Sequence, residues 1–418
     1  MTGALDTHRL WNRDFSVLWW TESVSFFGSQ LTLFAMPIVA LEMLGASASE
    51  VAWLNTAAGL GTLVFLGLFG PITDVIRRTT LMSWASWLRA ATLGVVVALF
   101  MTQSLSVTAL AVAGLIVTGL SGLYDSAFAA LLPNVVSRRH LTPANSWVAG
   151  IRAAGDIGAG AVAGVVLQLL SPLWLFVGDL VTYVLSAIGI RAVREAGFAA
   201  DEEHLSWRTY VQSLGSGFVL LRREPVMWPV TLSIAQFNLF TTAIQAVYIT
   251  HALRSGAMTA AEVGIAGAIG GVTGLSATLV APRIWAGARP IRILAVTFAL
   301  PLLSACGIAI LNPGLGLFNI VLLAASLGFW AACVMVNITG TETLKQVRLP
   351  NETVGRVSAA SRLLTWGVDP VGAALAAVLA IFFPTAVVLA VAAVGVATSA
   401  IWVVGSRPVK ELDLLADA

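Results

Sequence analysis

Residues Glu195 to Glu224, EAGFAADEEHLSWRTYVQSLGSGFVLLRRE, form the longest polar segment of a chain that is otherwise a succession of apolar stretches. Six stretches precede it, near residues 16–41, 50–72, 79–101, 105–131, 145–170 and 172–194. Six follow, near 225–250, 260–284, 290–311, 314–343, 354–381 and 384–405. A bilayer crossing takes ~20 apolar residues, and these stretches are too long and too uniformly apolar for barrel strands that alternate lipid-facing and lumen-facing side chains. The expected fold is therefore all-α and integral to the membrane, with twelve transmembrane helices in two six-helix halves. Residues 1–194 make an N-terminal bundle, 195–224 a cytoplasmic linker and 225–418 a C-terminal bundle. Within the linker Trp207, Val211, Leu214, Phe218 and Leu221 recur at helical spacing, which predicts an amphipathic helix on the inner membrane surface.

The cations fix the orientation. Of the 23 Lys and Arg, 19 fall before the first stretch, in every second gap, or in the C-terminal tail. The intervening gaps hold only Arg254. Loop cations mark the cytoplasmic side, so the number of crossings is even and both termini are expected inside. Composition agrees: 58% hydrophobic and 11% charged, against roughly 25% charged in a soluble domain. The net charge of +2 is the summed loop bias and argues for no nucleic-acid partner. Cys306 and Cys333 both lie in apolar stretches, too few and too embedded for a disulfide framework or a metal site. The first stretch is longer than a signal-peptide core and is read as a retained span. Trp19, Trp20, Trp84, Trp228, Trp285 and Trp402 sit near the inner edges of spans, Trp53 and Trp174 near the outer.

Two six-span halves joined by a cytosolic linker resemble the architecture of the major facilitator superfamily. The gap between spans two and three, Gly70 to Arg78 (GPITDVIRR), is similar to that superfamily's signature loop: a glycine, an aspartate four residues on and basic residues after it. The resemblance implies a conformational latch formed by Gly70, Asp74, Arg77 and Arg78; the customary basic residue after the aspartate is Val75 here. A narrower resemblance is to the branch holding macrolide, multidrug and siderophore exporters. It rests on Asn12 to Phe15, Ser25 and Gly28, Leu131 to Pro133, Ala144 and Asn145, Gly355 to Val357, and Trp366 with Gly367. The antiporter glycine motif of span five keeps Gly155, Gly158, Gly160 and Gly164 without its proline, and span four carries no arginine.

Ionisable residues inside a membrane cost at least ~2.5–3.5 kcal/mol each, which makes them functional candidates. Glu22, Ser25, Ser29 and Thr32 of span one fall within about 80° of helix arc at 100° per residue, and Asn238, Thr241, Thr242, Gln245 and Tyr248 share one face of span seven. Span four adds Thr118, Ser121 and Asp125; span ten adds Ser326, Trp330, Cys333 and Asn337. The resemblance implies that spans one, four, seven and ten surround a central cavity. Candidate substrate contacts are Ser25, Phe26, Ser29, Tyr124, Asn238, Thr242, Gln245, Tyr248, Trp330 and Asn337. Glu22, roughly 10 Å inside the cytoplasmic edge at 1.5 Å per residue, is the first candidate for proton exchange, although the family pattern more often has glutamine there. Asp125 is the second, or else a brace for the inner end of span four. Arg152 and Asp156 stand four apart and can pair on one helix face, as a structural pair or as a proton switch. Arg362 and Asp369 pose the same choice in span eleven. Asp179 is read as structural, and Arg89 and Glu342 as close enough to the inner face to snorkel.

The expected activity is secondary active transport by alternating access, proton-coupled and outward, with drugs, antibiotics or siderophores as substrates. An exporter or flippase of an endogenous lipid or metabolite with the same fold is the alternative. Gly119 to Gly122 (GLSG) spells a serine motif of intramembrane proteases, but His8, His140, His204 and His251 lie in loops or at span ends, so no base is placed for that serine. No GxxxxGK[ST] phosphate loop occurs. The expected partners are a small-molecule substrate, protons and membrane lipid. No cofactor is expected, and the chain is read as a monomer in a bacterial plasma membrane.

Overall fold

The computed structural model describes residues 10–69, 76–137, 140–195, 207–287, 289–349 and 351–411. Every regular element among them is helical. Spans one to six correspond to Arg13–Glu42, Ala48–Phe69, Arg78–Met101, Val107–Val135, Leu141–Leu169 and Leu173–Gly189. The linker contains the helix Trp207–Arg223. Spans seven, eight and ten are the single helices Met227–Arg254, Ala260–Gly287 and Phe318–Arg348. The remaining three spans are broken. Span nine is Pro290–Ala299 and Leu302–Ala309, interrupted before Pro301, whose ring cannot continue an α-helix ladder. Span eleven is Asn351–Trp366 and Asp369–Phe382, interrupted just before Pro370 for the same reason, and span twelve is Thr385–Thr398 and Ile401–Gly405.

Ten helices among the described residues are long and apolar enough to cross a membrane, and Ala48–Phe69 and Leu141–Leu169 occupy the second and fifth places in the expected order. The outward face fits the same environment. Leu317 is 77% exposed, Leu169 75% and Phe382 73%, an inversion that no water-soluble surface tolerates as a pattern but that lipid solvates.

Several helix starts are held by a local or borrowed acceptor. Asn12 accepts from the Phe15 amide (2.8 Å) and donates through Nδ2 to the Val135 carbonyl (2.9 Å), so it caps span one and ties it to the end of span four. Ser47 and Glu50 form a capping box at span two, and Thr259 and Glu262 form the same box at span eight. Glu195 caps span three from a distance, accepting from the Arg78 and Thr79 amides (3.3 and 3.2 Å) and pairing with the Arg78 guanidinium. Glu224 accepts from the Val226 and Met227 amides at the start of span seven.

The chain divides into two compact units, 1–46 with 57–207, and 47–56 with 208–418. In the first, span one packs on spans five and six, and span three on spans four and six. In the second, span seven packs on spans eleven and twelve, span nine on spans ten and twelve, and span eight on span ten. Four of these pairings in the second unit repeat those of the first with six added to each span. Phe15, Leu18, Met82, Tyr124 and Leu131 centre one core, and Met227, Phe237, Phe298, Val336 and Leu344 the other. Small residues permit the close crossing of spans eight and ten: a Cβ on Gly274 would sit 2.7 Å from that of Ala331, and one on Gly270 2.8 Å from that of Leu327. Gly270 and Gly274 of span eight thus form a packing seam against span ten.

Candidate functional site

In the first unit the candidates converge on one guanidinium. Glu22 of span one is buried, and Arg152 of span five reaches across to it, Nη2 to Oε1 at 3.1 Å. The same nitrogen lies 2.8 Å from Asp125 Oδ1 of span four. Glu22 is the closed member; the Asp125 and Arg152 side chains retain 45% and 36% of their exposure. The guanidinium also stands 5.5 Å from the Phe26 ring centre. Gly155 makes room for that ring, since a Cβ there would meet Phe26 Cδ1 at 2.8 Å. Helical spacing points to Asp156 as the partner of Arg152; the side chain of Asp156 lies outside the described residues, and the described bonds of Arg152 run to spans one and four.

Arg89 does not snorkel. It is buried in span three, donates to Ser86 Oγ (3.0 Å) and Ser121 Oγ (3.2 Å), and lies between the rings of Tyr124 and Tyr183 at 4.6 and 4.4 Å. Two π-systems with two hydroxyls replace the water that a membrane-edge arginine would seek. The Ser121 of the protease-like motif is thus engaged by Arg89 and by the Val117 carbonyl. Tyr183 OH pairs with Ser29 Oγ at 2.9 Å, and Tyr124 OH with Ser186 Oγ at 3.4 Å. Asp179, fully buried, accepts from Thr182 Oγ1 at 3.0 Å and faces Gly28. The polar stripe of span one is therefore a helix-to-helix face: Ser25 and Thr32 are buried and Ser29 is bonded to span six. Of the latch residues, Gly70 and Asp74 lie outside the described residues; Arg77 is exposed at the start of span three, and Arg78 is the partner of Glu195.

Candidates of the second unit line two cavities. The larger, about 350 Å³, includes Thr242, Gln245, Tyr248 and Trp330 in its wall. Thr242 Oγ1 donates to Asp369 Oδ1 at 3.2 Å, at the start of the second half of span eleven. The smaller, about 260 Å³, is lined by Asn238 and Asn337 together with Glu342, Lys345, Arg362 and Trp366. Asn238 donates to the Thr365 carbonyl and Asn337 to Thr297 Oγ1, both at 2.9 Å. Glu342 pairs with Lys345 at 2.7 Å, while Arg362 lies 5.9 Å from the Trp366 ring centre. Arg362 and Asp369 occupy the two sides of the break in span eleven; Arg362 lines the smaller cavity, and Asp369 bonds a residue of the larger. No group of three or more His, Cys, Asp or Glu able to hold a metal ion exists among the described residues.

The model of the major facilitator superfamily matches residues 18–368. The chain belongs to the major facilitator superfamily. Among curated proteins it is similar to YvqJ of Bacillus subtilis (strain 168), an uncharacterized MFS-type transporter, at 24% identity over 264 residues; the match spans 60% of this chain and 61% of that relative. Among solved structures it resembles a bacterial homologue of the iron transporter ferroportin in its inward-facing state (TM-score 0.75, 18% identity, 94% of this chain and 99% of that one). It also resembles the nucleoside transporter NupG (TM-score 0.69, 14% identity, 96% and 100%). At these identities the likeness is one of fold. The fold and family are those of a multi-pass membrane transporter rather than an enzyme.

For this superfamily member, the sequence singles out Glu22, Asp125 and Arg152 but not their union. It does not reveal the role of Glu195 or the burial of Arg89. The capping-box patterns SASE (47–50) and TAAE (259–262) are present as signals, and an acid standing just past the end of a span, as Glu195 does, is the available hint for the borrowed cap.

Proposed function

We propose that this transporter is a proton-coupled exporter of amphipathic small molecules, working by alternating access in a bacterial plasma membrane as a monomer with both termini in the cytoplasm. The Glu22–Arg152–Asp125 cluster carries the reading. Arginine keeps its charge in proteins, so one guanidinium bonded to two carboxylates leaves that triad one negative charge in surplus, which one proton cancels; the buried Arg89 guanidinium also attracts both acids. Such a cluster has two charge states that differ in how they hold spans one, four and five together. A ligand or proton shifts a two-state equilibrium only by its differential affinity for the states, and a cluster joining three spans is suited to supply that difference. Asp156 and Asp369 are further sites for the coupling proton.

Substrate contacts in this reading come from Phe26 in the first unit, and from Asn238, Thr242, Gln245, Tyr248, Trp330 and Asn337 in the second; Ser25, Ser29 and Tyr124 are committed to packing between helices. Gly70, Asp74, Arg77 and Arg78 serve as the latch between alternating states. The motifs spread from Asn12 to Gly367 support the drug and siderophore exporter branch over other branches. Reconstituted into liposomes with an interior pH dye, the protein should pass protons when a macrolide, a tetracycline, a dye cation or a siderophore is added, and Glu22→Gln should abolish that flux. Substrate-driven flux of wild-type size in Glu22→Gln would remove Glu22 from the coupling. Silence of the wild type across the whole panel would favour export of an endogenous lipid or metabolite.

A further inference from the structure

Among the described residues, the wall of the 350 Å³ cavity of the second unit carries no charged side chain. Its polar members are neutral, among them Thr241, Gln245, Tyr248, Ser304, Ser326 and Trp330, contributed by spans seven, nine and ten. Ile244, Ile308 and Leu327 supply aliphatic surface. Three of the polar residues carry unspent hydrogen-bonding capacity: Thr241 Oγ1, Ser304 Oγ and Trp330 Nε1 are buried and have no partner among the described residues. Thr241 and Ser304 are 6% and 4% exposed, so bulk water does not serve them. Buried polar groups elsewhere in proteins are overwhelmingly paired, and an unpaired one calls for an explanation. All three belong to side chains of one cavity wall, where an occupant that supplies oxygens would meet them once those side chains turn toward it.

We propose that this cavity is a binding site for an uncharged, oxygen-rich apolar group, such as the lactone, ether or hydroxyl face of an amphipathic molecule. The inference rests on the transport reading above and names the substrate chemistry of its second-unit portion. Trp330 Nε1 can only donate, which requires an acceptor oxygen on the ligand; the two hydroxyls donate or accept. A cation or anion entering here would shed water against a wall that offers no counter-charge, and such burial is costly unless the charge is paired. Asp369 accepts from Thr242 but is not part of the wall. Among the described residues the wall has no His, Cys, Asp, Glu or Met, the side chains that transition metals select. Its volume falls at the lower end of drug-sized pockets, about 300–1,000 Å³, and admits part of a large ligand rather than the whole of one. Ionisable groups line the other cavity, through Glu342, Lys345 and Arg362.

The test uses the full chain in lipid nanodiscs and three ligands built on one macrolactone, bearing at the same position a hydroxyl, a tertiary amine or a carboxylate. Titration calorimetry should give the hydroxyl member at least tenfold tighter binding than either charged member. Trp330→Phe, which keeps an aromatic ring and removes the donor, should weaken the hydroxyl member by roughly three- to tenfold, the effect of one hydrogen bond. Thr241→Val with Ser304→Ala gives a second route should Trp330→Phe fold poorly. Equal or tighter binding of a charged member, no binding of any member, or unchanged affinity in these variants would each overturn the proposal. Because binding needs no gradient, neutral-selective binding without substrate-driven proton flux would sink the proton-coupled reading and leave this one standing.

Discussion

Replacing Arg152 by methionine tests the cluster most directly. The substitution keeps a long apolar stem beside Phe26 and deletes the counter-charge that Glu22 and Asp125 share. Two unit charges near 3 Å attract by about 5 kcal/mol at an effective dielectric constant of 20. The Asp125 contact is open to solvent at both ends, at 45% and 36% exposure, and is worth ~1 kcal/mol or less. Glu22 is closed, so stranding it costs more, but the 36% exposure of Arg152 brings the loss below the roughly 3–5 kcal/mol of a fully buried pair. The expected destabilisation of Arg152→Met is about 2–3 kcal/mol, read from reversible denaturation in mixed micelles followed by circular dichroism. Glu22→Gln in the same background removes the stranded charge and should recover at least half of that loss. Additive losses in the double variant would refute the account, because they would mean that Glu22 and Arg152 contribute independently.

Glu195→Ala should cost ~1–2 kcal/mol by removing the acceptor of the Arg78 and Thr79 amides, measurable as a lowered denaturation midpoint; an unchanged midpoint would show that the borrowed cap is idle. Arg89→Lys should destabilise nearly as much as Arg89→Met, since an ammonium cannot bridge Ser86 and Ser121 while lying flat between two rings; full rescue by lysine would reduce Arg89 to a point charge. Gly274→Leu should cost ~1–3 kcal/mol by overpacking the seam with Ala331, whereas Gly267→Ala, whose added methyl would meet nothing within 4 Å, should leave the midpoint in place.

Much of the fold is legible in the sequence because hydropathy and loop charge act one span at a time. Twelve crossings follow from local composition and need no knowledge of neighbours. The site is legible only as a set of separate names. Spacing pairs Arg152 with Asp156 because four residues is the relation that one helix displays, whereas its described partners lie 130 and 27 residues away. The stripe of Glu22, Ser25, Ser29 and Thr32 is one face, as periodicity says, but periodicity does not distinguish a face that lines water from one that bonds a neighbouring helix; the bond from Ser29 to Tyr183 makes it the latter. Arg89 is misplaced for a related reason. Its depth suggests an escape to the inner surface, and the two tyrosines that hold it are contributed by spans four and six, far from it in the chain.

A single nitrogen of Arg152, with its two N–H bonds, serves both Glu22 and Asp125. Nη2 approaches both acids while Nε has no hydrogen-bond partner among the described residues. Whichever acid is silenced by a proton, the other is left with the whole of the guanidinium's charge, so the arrangement answers a proton by a transfer of allegiance and not by rupture. Spans one and four are thereby rivals for span five, and a rivalry between helices is a lever with its fulcrum already in place.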